Sequence, residues 1–318
     1  MTLRPSLRCS PCSMGLTNEC PRFPCKEQQS SSPRSLRPSA PREASHSAER
    51  SRHIMKSPES PVGTVVFDLD GVVYIGSTPI PGAAEAMARL VRSGWQLIFA
   101  TNNSTTTPNN VAQRLQEQSY LTIDERSVVT SGASAGHYLS TVGVESAFIV
   151  GSQQLRESIA AYGIFVAGHD HPDAVVVGLD RGLDYQTIDD ASRAIRNGAR
   201  FVATNTDATF PTSEGEAPGA GAIVAAIAYA TGQDFVSCGK PARPMIDLIS
   251  QQVRSERVIV VGDRLETDIA LAHAAGWGSV LTLTGVTSSA SDIGEEFAPD
   301  VVIASMHELP KVLELWDR

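Results

Sequence analysis

No stretch of this 318-residue chain approaches the roughly 18 consecutive apolar residues that a membrane-spanning helix requires. The longest candidate, residues 220–230, is too short and reads instead as a buried helix. An integral membrane protein of the helical type is therefore excluded. Cysteine is scarce wherever a fold is expected. Four of the five cysteines, Cys9, Cys12, Cys20 and Cys25, fall in the first sixty residues, and Cys238 stands alone in the remainder. Residues 61–318 therefore carry no internal disulfide, and the expected setting is the cytoplasm. Basic charge is also in deficit. Against 35 Asp and Glu there are 26 Lys and Arg, a formal net charge of −9. General nucleic-acid binding needs the opposite sign, so neither nucleic acid nor a membrane is an expected partner.

What is present suffices for a folded enzyme-sized body. Hydrophobic residues make up 42% of the chain and charged residues 19%, enough apolar surface for a core and too little charge for long polyampholyte segments. At about 150 residues per domain the length suggests two domains. Charge is unevenly spread. Residues 1–60 hold ten Lys or Arg and five Asp or Glu, which leaves 16 basic and 30 acidic residues for the rest. An anionic ligand would need locally placed positive groups.

Residues 1–60 are rich in Ser, Pro and Arg and show no apolar period, so they are expected to be disordered. They lack a secretory apolar core, although an Arg- and Ser-rich, acid-poor leader is similar to an organelle transit peptide. The preferred expectation is that translation begins at Met55, just ahead of the first strand. Cys9-x-x-Cys12 with Cys20 and Cys25 has irregular spacing and no folded flank, so no zinc site is expected there.

From residue 64 onward, strands and helices alternate. Thr64 to Phe67 is a β-branched and aromatic run, read as a buried strand. Helices are expected over 83–92, 109–117 and 133–139, with strands at 95–100 and 127–130 between them. The alternation restarts with strands at 146–150, 174–178 and 201–203 and helices near 152–161, 186–197 and 219–230. It returns with strands at 257–261, 279–283 and 300–303 and helices at 267–274 and 307–316. Such alternation implies parallel sheets with crossover helices. The expected division is a first core segment at 61–141, a second α/β unit at 142–235 and a second core segment at 236–318.

Three apolar runs end in polar clusters: Asp68-Leu69-Asp70-Gly71, Thr101-Asn102-Asn103 and Gly262-Asp263. In an open parallel sheet, ligands bind beyond the carboxyl ends of the strands, where the strand order reverses. An aspartate after one strand is ordinarily a helix cap. Three strands ending alike, two of them in carboxylates, point to one site. Asp68, Asp70 and Asp263 brought together would repel one another unless a cation lay between them. A hard dication suits carboxylate ligands, and Mg2+ is the default because it combines one or two carboxylates with phosphate oxygen and water. Thr101 offers a hydroxyl, and the Asn102-Asn103 turn offers amides for an anion. Lys240, between Gly239 and Pro241, reads alone as a surface lysine and in this company as a phosphate contact. An Asp nucleophile beside Mg2+ and a lysine would suit phosphoryl transfer, with Asp70 supplying the proton to the leaving group.

These runs, with Gly239-Lys240-Pro241 and Gly262-Asp263-Arg264-Leu265-Glu266-Thr267-Asp268, resemble the four ordered motifs of the haloacid-dehalogenase-like (HAD) hydrolase superfamily. The similarity is greatest to its NagD / p-nitrophenylphosphatase-like branch and extends from about residue 64 to the C-terminus. The resemblance implies an α/β fold, a Rossmann-like parallel-sheet core with a large inserted α/β cap. It implies Asp68 as nucleophile and metal ligand, and Asp70 as general acid/base that binds the metal through its main-chain carbonyl. Thr101, Asn102 and Asn103 would bind the substrate phosphoryl group. Lys240 would position Asp68 and phosphate, Asp263 would bind Mg2+ and Asp268 would support it. The substrate class it implies is a small phosphorylated metabolite. Glycerol 3-phosphate or phosphoglycolate is preferred, with pyridoxal phosphate or a nucleoside monophosphate as alternatives. The resemblance is compatible with a homo-oligomer.

Other readings are weaker. Metal-free dehalogenation would not need Asp70 or Asp263, and a non-catalytic phosphometabolite-binding protein would be expected to have lost a catalytic position. Pro218-Gly219-Ala220-Gly221 lacks the third glycine of a dinucleotide fingerprint, and Pro241 replaces the hydroxyl residue of a P-loop. Asn205, Asp207, Gly219 and Gly221 are expected to shape turns rather than touch substrate. No histidine pair has metal-ligand spacing.

Overall fold

The computed structural model describes residues 60–119, 121–212, 215–294 and 297–316. Residues 1–59, with Met55 and the four early cysteines, lie outside the described residues. Within them the chain forms two parallel sheets. The first has six strands in the order Val301–Ile303, Gly278–Thr282, Val258–Gly262, Gly63–Phe67, Trp95–Thr101 and Val128–Thr130. Every neighbouring pair is parallel. Gly63–Phe67 is central and all five of its residues are buried, which suits its unbroken β-branched run.

Residues alternate between the faces of this sheet. Val65, Phe67, Leu97, Phe99 and Val261 pack under the helices Ala83–Arg92, Pro108–Ser119 and Leu309–Leu315. Val66, Ile98, Val258 and Val260 pack against the helices Ser131–Thr141, Arg243–Ser250 and Ala270–Ala275. From the central strand the chain moves outward one way to Val128–Thr130 and the other way to Val301–Ile303. The strand order therefore reverses at Gly63–Phe67, the place where such sheets open a crevice. Register sets Phe67 beside both Phe99 and Val261, so Asp68, Thr101 and Asp263 share one rim.

The second sheet has five parallel strands in the order Val236–Ser237, Arg200–Ala203, Ala174–Val177, Ser146–Val150 and Phe165–Val166. Its strands occupy the chain between the two halves of the first sheet. Val236–Ser237 lies just past the expected boundary at 235 yet pairs with this sheet. Helix Ser131–Thr141 serves both sheets: Ala133 joins the core of the first, whereas Ala135 and Leu139 join that of the second.

One expectation needs correction. Residues 220–230 do not form a buried helix. In Ala220–Thr231 only Ala220, Ile223, Val224 and Ile227 are buried, while Ala222, Ala225, Ala226 and Tyr229 are exposed. Alanine carries little apolar area, so an alanine-rich face tolerates water and hydrophobicity alone misreads it. The structure adds elements that composition did not signal. Two are short hairpins, Tyr74–Ile75 with Thr78–Pro79 and Thr209–Thr212 with Gly215–Pro218. A further helix, Arg243–Ser250, has Pro244 in its first turn and buries Met245, Ile246, Leu248 and Ile249. The expected helix at 267–274 begins instead as a π-turn over Leu265–Ile269 and continues as Ala270–Ala275.

The one-sided burial of Ala220–Thr231 yields a contrast. Ile227→Ala is expected to cost about 2–4 kcal/mol through the cavity it leaves, whereas Tyr229→Ser should stay within about 0.5 kcal/mol of the parent. Urea unfolding midpoints of the two variants check this.

Candidate active site

Four segments meet at the carboxyl rim of the first sheet. Asp68 directly follows the central strand and is buried. Its neighbours leave the sheet in a tight turn, with the amides of Val72, Val73 and Tyr74 all reaching the Leu69 carbonyl. Gly71 makes the turn feasible. Its φ of 90° is in the left-handed region, and an added Cβ would lie 2.3 Å from Asp263 Oδ2. The polar end of one strand thus packs directly on that of the next.

Lys240 closes the cluster. Its ammonium donates to Asp68 Oδ1 at 2.5 Å and to Asp268 Oδ1 at 2.6 Å, with all three side chains buried. The π-turn curls Asp268 back so that its other oxygen accepts from the Arg264 amide at 3.1 Å. Asp263 Oδ2 accepts from the Val286 amide at 2.6 Å, while its Oδ1 is buried and has no hydrogen-bond partner. Asp68, Asp263 and Asp268 each present an oxygen within 4.8 Å of the others.

The electrostatics follow from crowding and loss of solvent. Burial pushes the Asp68 carboxyl well above the usual range; Lys240 pulls it back, and Asp268 and Asp263 push it further up. Burial, then the Asp268 charge, raise Asp263 to about 6. Burial lowers the Lys240 pKa, but Asp268 and Asp68 outweigh it and hold the ammonium charged. Asp70 lies on the open side of the turn with an exposed side chain. Partial loss of solvent raises its pKa, opposed by Arg114, Lys240 and Arg264.

A cation fits this group. Asp263 Oδ1 is a buried acceptor lacking a donor, and Asp68 and Asp263 each present an oxygen within 4.8 Å of the other. Carboxylate oxygens are hard ligands of the kind Mg2+ prefers. Both oxygens of Asp268 are already taken by Lys240 and the Arg264 amide, which suits a supporting role over direct ligation.

The Thr101 loop departs in detail from the simplest expectation. Thr101 Oγ1 accepts from the Asn103 amide at 3.1 Å, which leaves its hydroxyl proton free to donate. Asn103 is exposed, and its side-chain oxygen accepts from the amide and hydroxyl of Thr105. The Asn102 side chain is committed to protein on both ends: Oδ1 accepts from the Lys240 amide at 2.7 Å, and Nδ2 donates to Asp207 Oδ1 at 3.1 Å. The loop around Val286 had not been singled out, although Thr284-Gly285-Val286-Thr287 follows a strand in the same way as the other clusters. Thr284 Oγ1 donates to the Gly71 carbonyl at 2.7 Å, which ties this fourth loop to the first.

Protein-family models match on both sides of the second sheet. Residues 65–165 match a model described as haloacid dehalogenase-like hydrolase, and residues 237–309 match one described as HAD-hydrolase-like. D-glycerol 3-phosphate phosphatase of Mycobacterium tuberculosis is 40% identical over 239 residues, covering 74% of this chain and 67% of that protein. The 5'-nucleotidase YutF of Bacillus subtilis is 33% identical over 245 residues, 76% of this chain and 95% of that one. The chain belongs to the haloacid dehalogenase-like hydrolases. Among solved structures of the family, the glycerol phosphate phosphatase of Mycobacterium tuberculosis in complex with magnesium superposes with a TM-score of 0.71 at 36% identity, covering 78% of this chain and 77% of that one.

The raised Asp263 pKa makes a stability statement. A carboxyl whose folded pKa lies above its unfolded value favours folding at low pH, and that contribution is lost as pH rises from about 4 through 6. In metal-free protein Asp263→Asn should therefore match the parent near pH 4 and be more stable by roughly 1–3 kcal/mol at pH 7.5. Thermal unfolding in chelator across that range checks it.

Proposed function

We propose that this chain is a Mg2+-dependent phosphatase that hydrolyses a small phosphomonoester with Asp68 as nucleophile. The observation that carries the reading is the Lys240 ammonium fixed between Asp68 and Asp268, beside the unpartnered oxygen of Asp263. Asp68, Asp263 and the main-chain carbonyl of Asp70 would hold Mg2+. Bound there, the ion would offset the carboxylate charge and that of the phosphoryl oxygens, lowering the barrier to attack.

The chain's own groups account for the rest. An Asp68 oxygen attacks phosphorus while the bond from phosphorus to the substrate's bridging oxygen breaks, leaving an aspartyl phosphate on Asp68. Asp70, accessible and with a raised pKa, gives its proton to the departing alkoxide. It then takes a proton from the water that attacks the aspartyl phosphate, releasing phosphate and restoring Asp68. Lys240 orients Asp68 and neutralises phosphoryl charge, and the Thr101 hydroxyl donates to a phosphoryl oxygen. The Asn102 and Asn103 side chains shape this loop. Segments 61–141 and 236–318 act as the catalytic core, and 142–235 acts as a cap that limits access. The substrate we favour is glycerol 3-phosphate or a similar three-carbon phosphate, the class named for the 40% identical relative.

Phosphate release should require Mg2+ and disappear with chelation. Asp68→Asn should lower kcat at least about a thousandfold with the fold intact by circular dichroism; retained turnover would remove Asp68 as nucleophile. Asp70→Asn should cost about 10²–10⁴-fold on an alkyl phosphate and far less on p-nitrophenyl phosphate, whose leaving group departs without a proton. Equal losses on both substrates would count against Asp70 as the acid.

A further inference from the structure

The Asn102 side chain links three parts of the molecule. Its Oδ1 accepts from the Lys240 amide at 2.7 Å. Its Nδ2 donates to both oxygens of Asp207, at 3.1 and 3.2 Å, and to the Lys240 carbonyl at 3.3 Å. Asp207 lies beyond Arg200–Ala203, a strand of the second sheet, whereas Asn102 follows a strand of the first. The two ends of a side-chain amide are nearly equal in shape and differ only in donating or accepting. At neutral pH a carboxylate accepts and cannot donate. Asp207 therefore selects the orientation in which the amide nitrogen faces it and the amide oxygen faces the Lys240 N–H.

Asp207 is itself rigidly placed. Its amide donates to Asn205 Oδ1 at 3.1 Å, and Asn205 Nδ2 donates to the Asn102 carbonyl at 2.7 Å. Its carbonyl accepts from the Gly221 amide at 3.0 Å. A Cβ on Gly221 would lie 2.3 Å from the Thr206 carbonyl oxygen, so only glycine lets the helix start this close. The Ser131 hydroxyl, at the start of the helix shared by both sheets, donates to the Asn102 carbonyl at 2.7 Å.

We propose that Asp207 is a positioning residue that acts through the Asn102 amide on the backbone of Lys240, coupling the seating of the second α/β unit to the placement of the ammonium beside Asp68. The proposal rests on the phosphatase reading, because its readout is turnover. Asn102 is the relay, and neither Asn102 nor Asp207 needs to touch substrate for the coupling to operate. The wiring accounts for Asn205 and Asp207 both being aimed at Asn102.

A mutant cycle on p-nitrophenyl phosphate with saturating Mg2+ tests it. Asp207→Ala should lower kcat about tenfold, in line with the cost of a sub-ångström to ångström misplacement. The same change in an Asn102→Ala background should have no further effect, since the relay is already cut. Asn102→Asp sets two carboxylates face to face and should lose activity. The exchange Asn102→Asp with Asp207→Asn restores a donor–acceptor pair and should recover at least about tenfold over Asn102→Asp alone. An unchanged kcat for Asp207→Ala, equal losses in both backgrounds, or an exchange variant no better than Asn102→Asp would each overturn the relay. Should Asp207→Ala fail to fold, the exchange pair decides alone. An active parent with unaffected variants sinks only the relay, whereas an inactive parent sinks the phosphatase reading and the relay with it.

Discussion

Lys240 reaches its place between Asp68 and Asp268 from a loop that leaves the second sheet, while both partners follow strands of the first. The contact spans 172 residues of chain to Asp68 and 28 to Asp268. An ammonium removed from water is tolerable only when acidic groups surround it, and breaking such a buried pair typically costs about 3–5 kcal/mol. The second sheet cannot rest elsewhere without exposing that cost. Placement of one side chain therefore fixes the relation between the rim and the strand Val236–Ser237 that delivers it.

The acidic side of the cluster is overfilled. Three carboxylates gather about one ammonium, and burial first, then their mutual repulsion, raises the pKa values of Asp68 and Asp263. This imbalance is the physical reason the site calls for a cation, because a dication would relieve the repulsion that burial magnifies. The chain's strongly acidic remainder gives no general attraction for anions. On the proposed function, recognition of phosphate falls to Lys240 and the Thr101 hydroxyl at the rim, where local charge overrides the distant field.

Some of the site was legible as sequence because its signal is local. A β-branched run that stops at Asp68, at Thr101 or at Gly262-Asp263 marks a strand whose polar end must lie at one rim. Lys240 reads as a site residue only in the company of those clusters, and the structure buries it against Asp68 and Asp268. The Asn102 side chain works with Asp207 and Lys240, partners 105 and 138 residues away that no spacing rule connects. Helix Ala220–Thr231 was misjudged because hydropathy counts alanine as apolar without weighing how little area it hides. The π-turn at Leu265–Ile269 carries Asp268 to the Lys240 ammonium, a partner 28 residues away that no local propensity encodes.

By itself the sequence determined the alternation of strands and helices, the parallel sheets that alternation implies and the chemical character of each strand's end. These follow from periodicity and residue type over a few neighbours. Only the tertiary structure decided that Asp268 serves Lys240 with both oxygens engaged, that Asp263 keeps one oxygen unpartnered, and that Asp207 reaches across to Asn102. Those facts depend on the closure of long loops and on which lone pairs remain once every nearby donor has been used. That outcome is set by the packed whole and by no local stretch of chain.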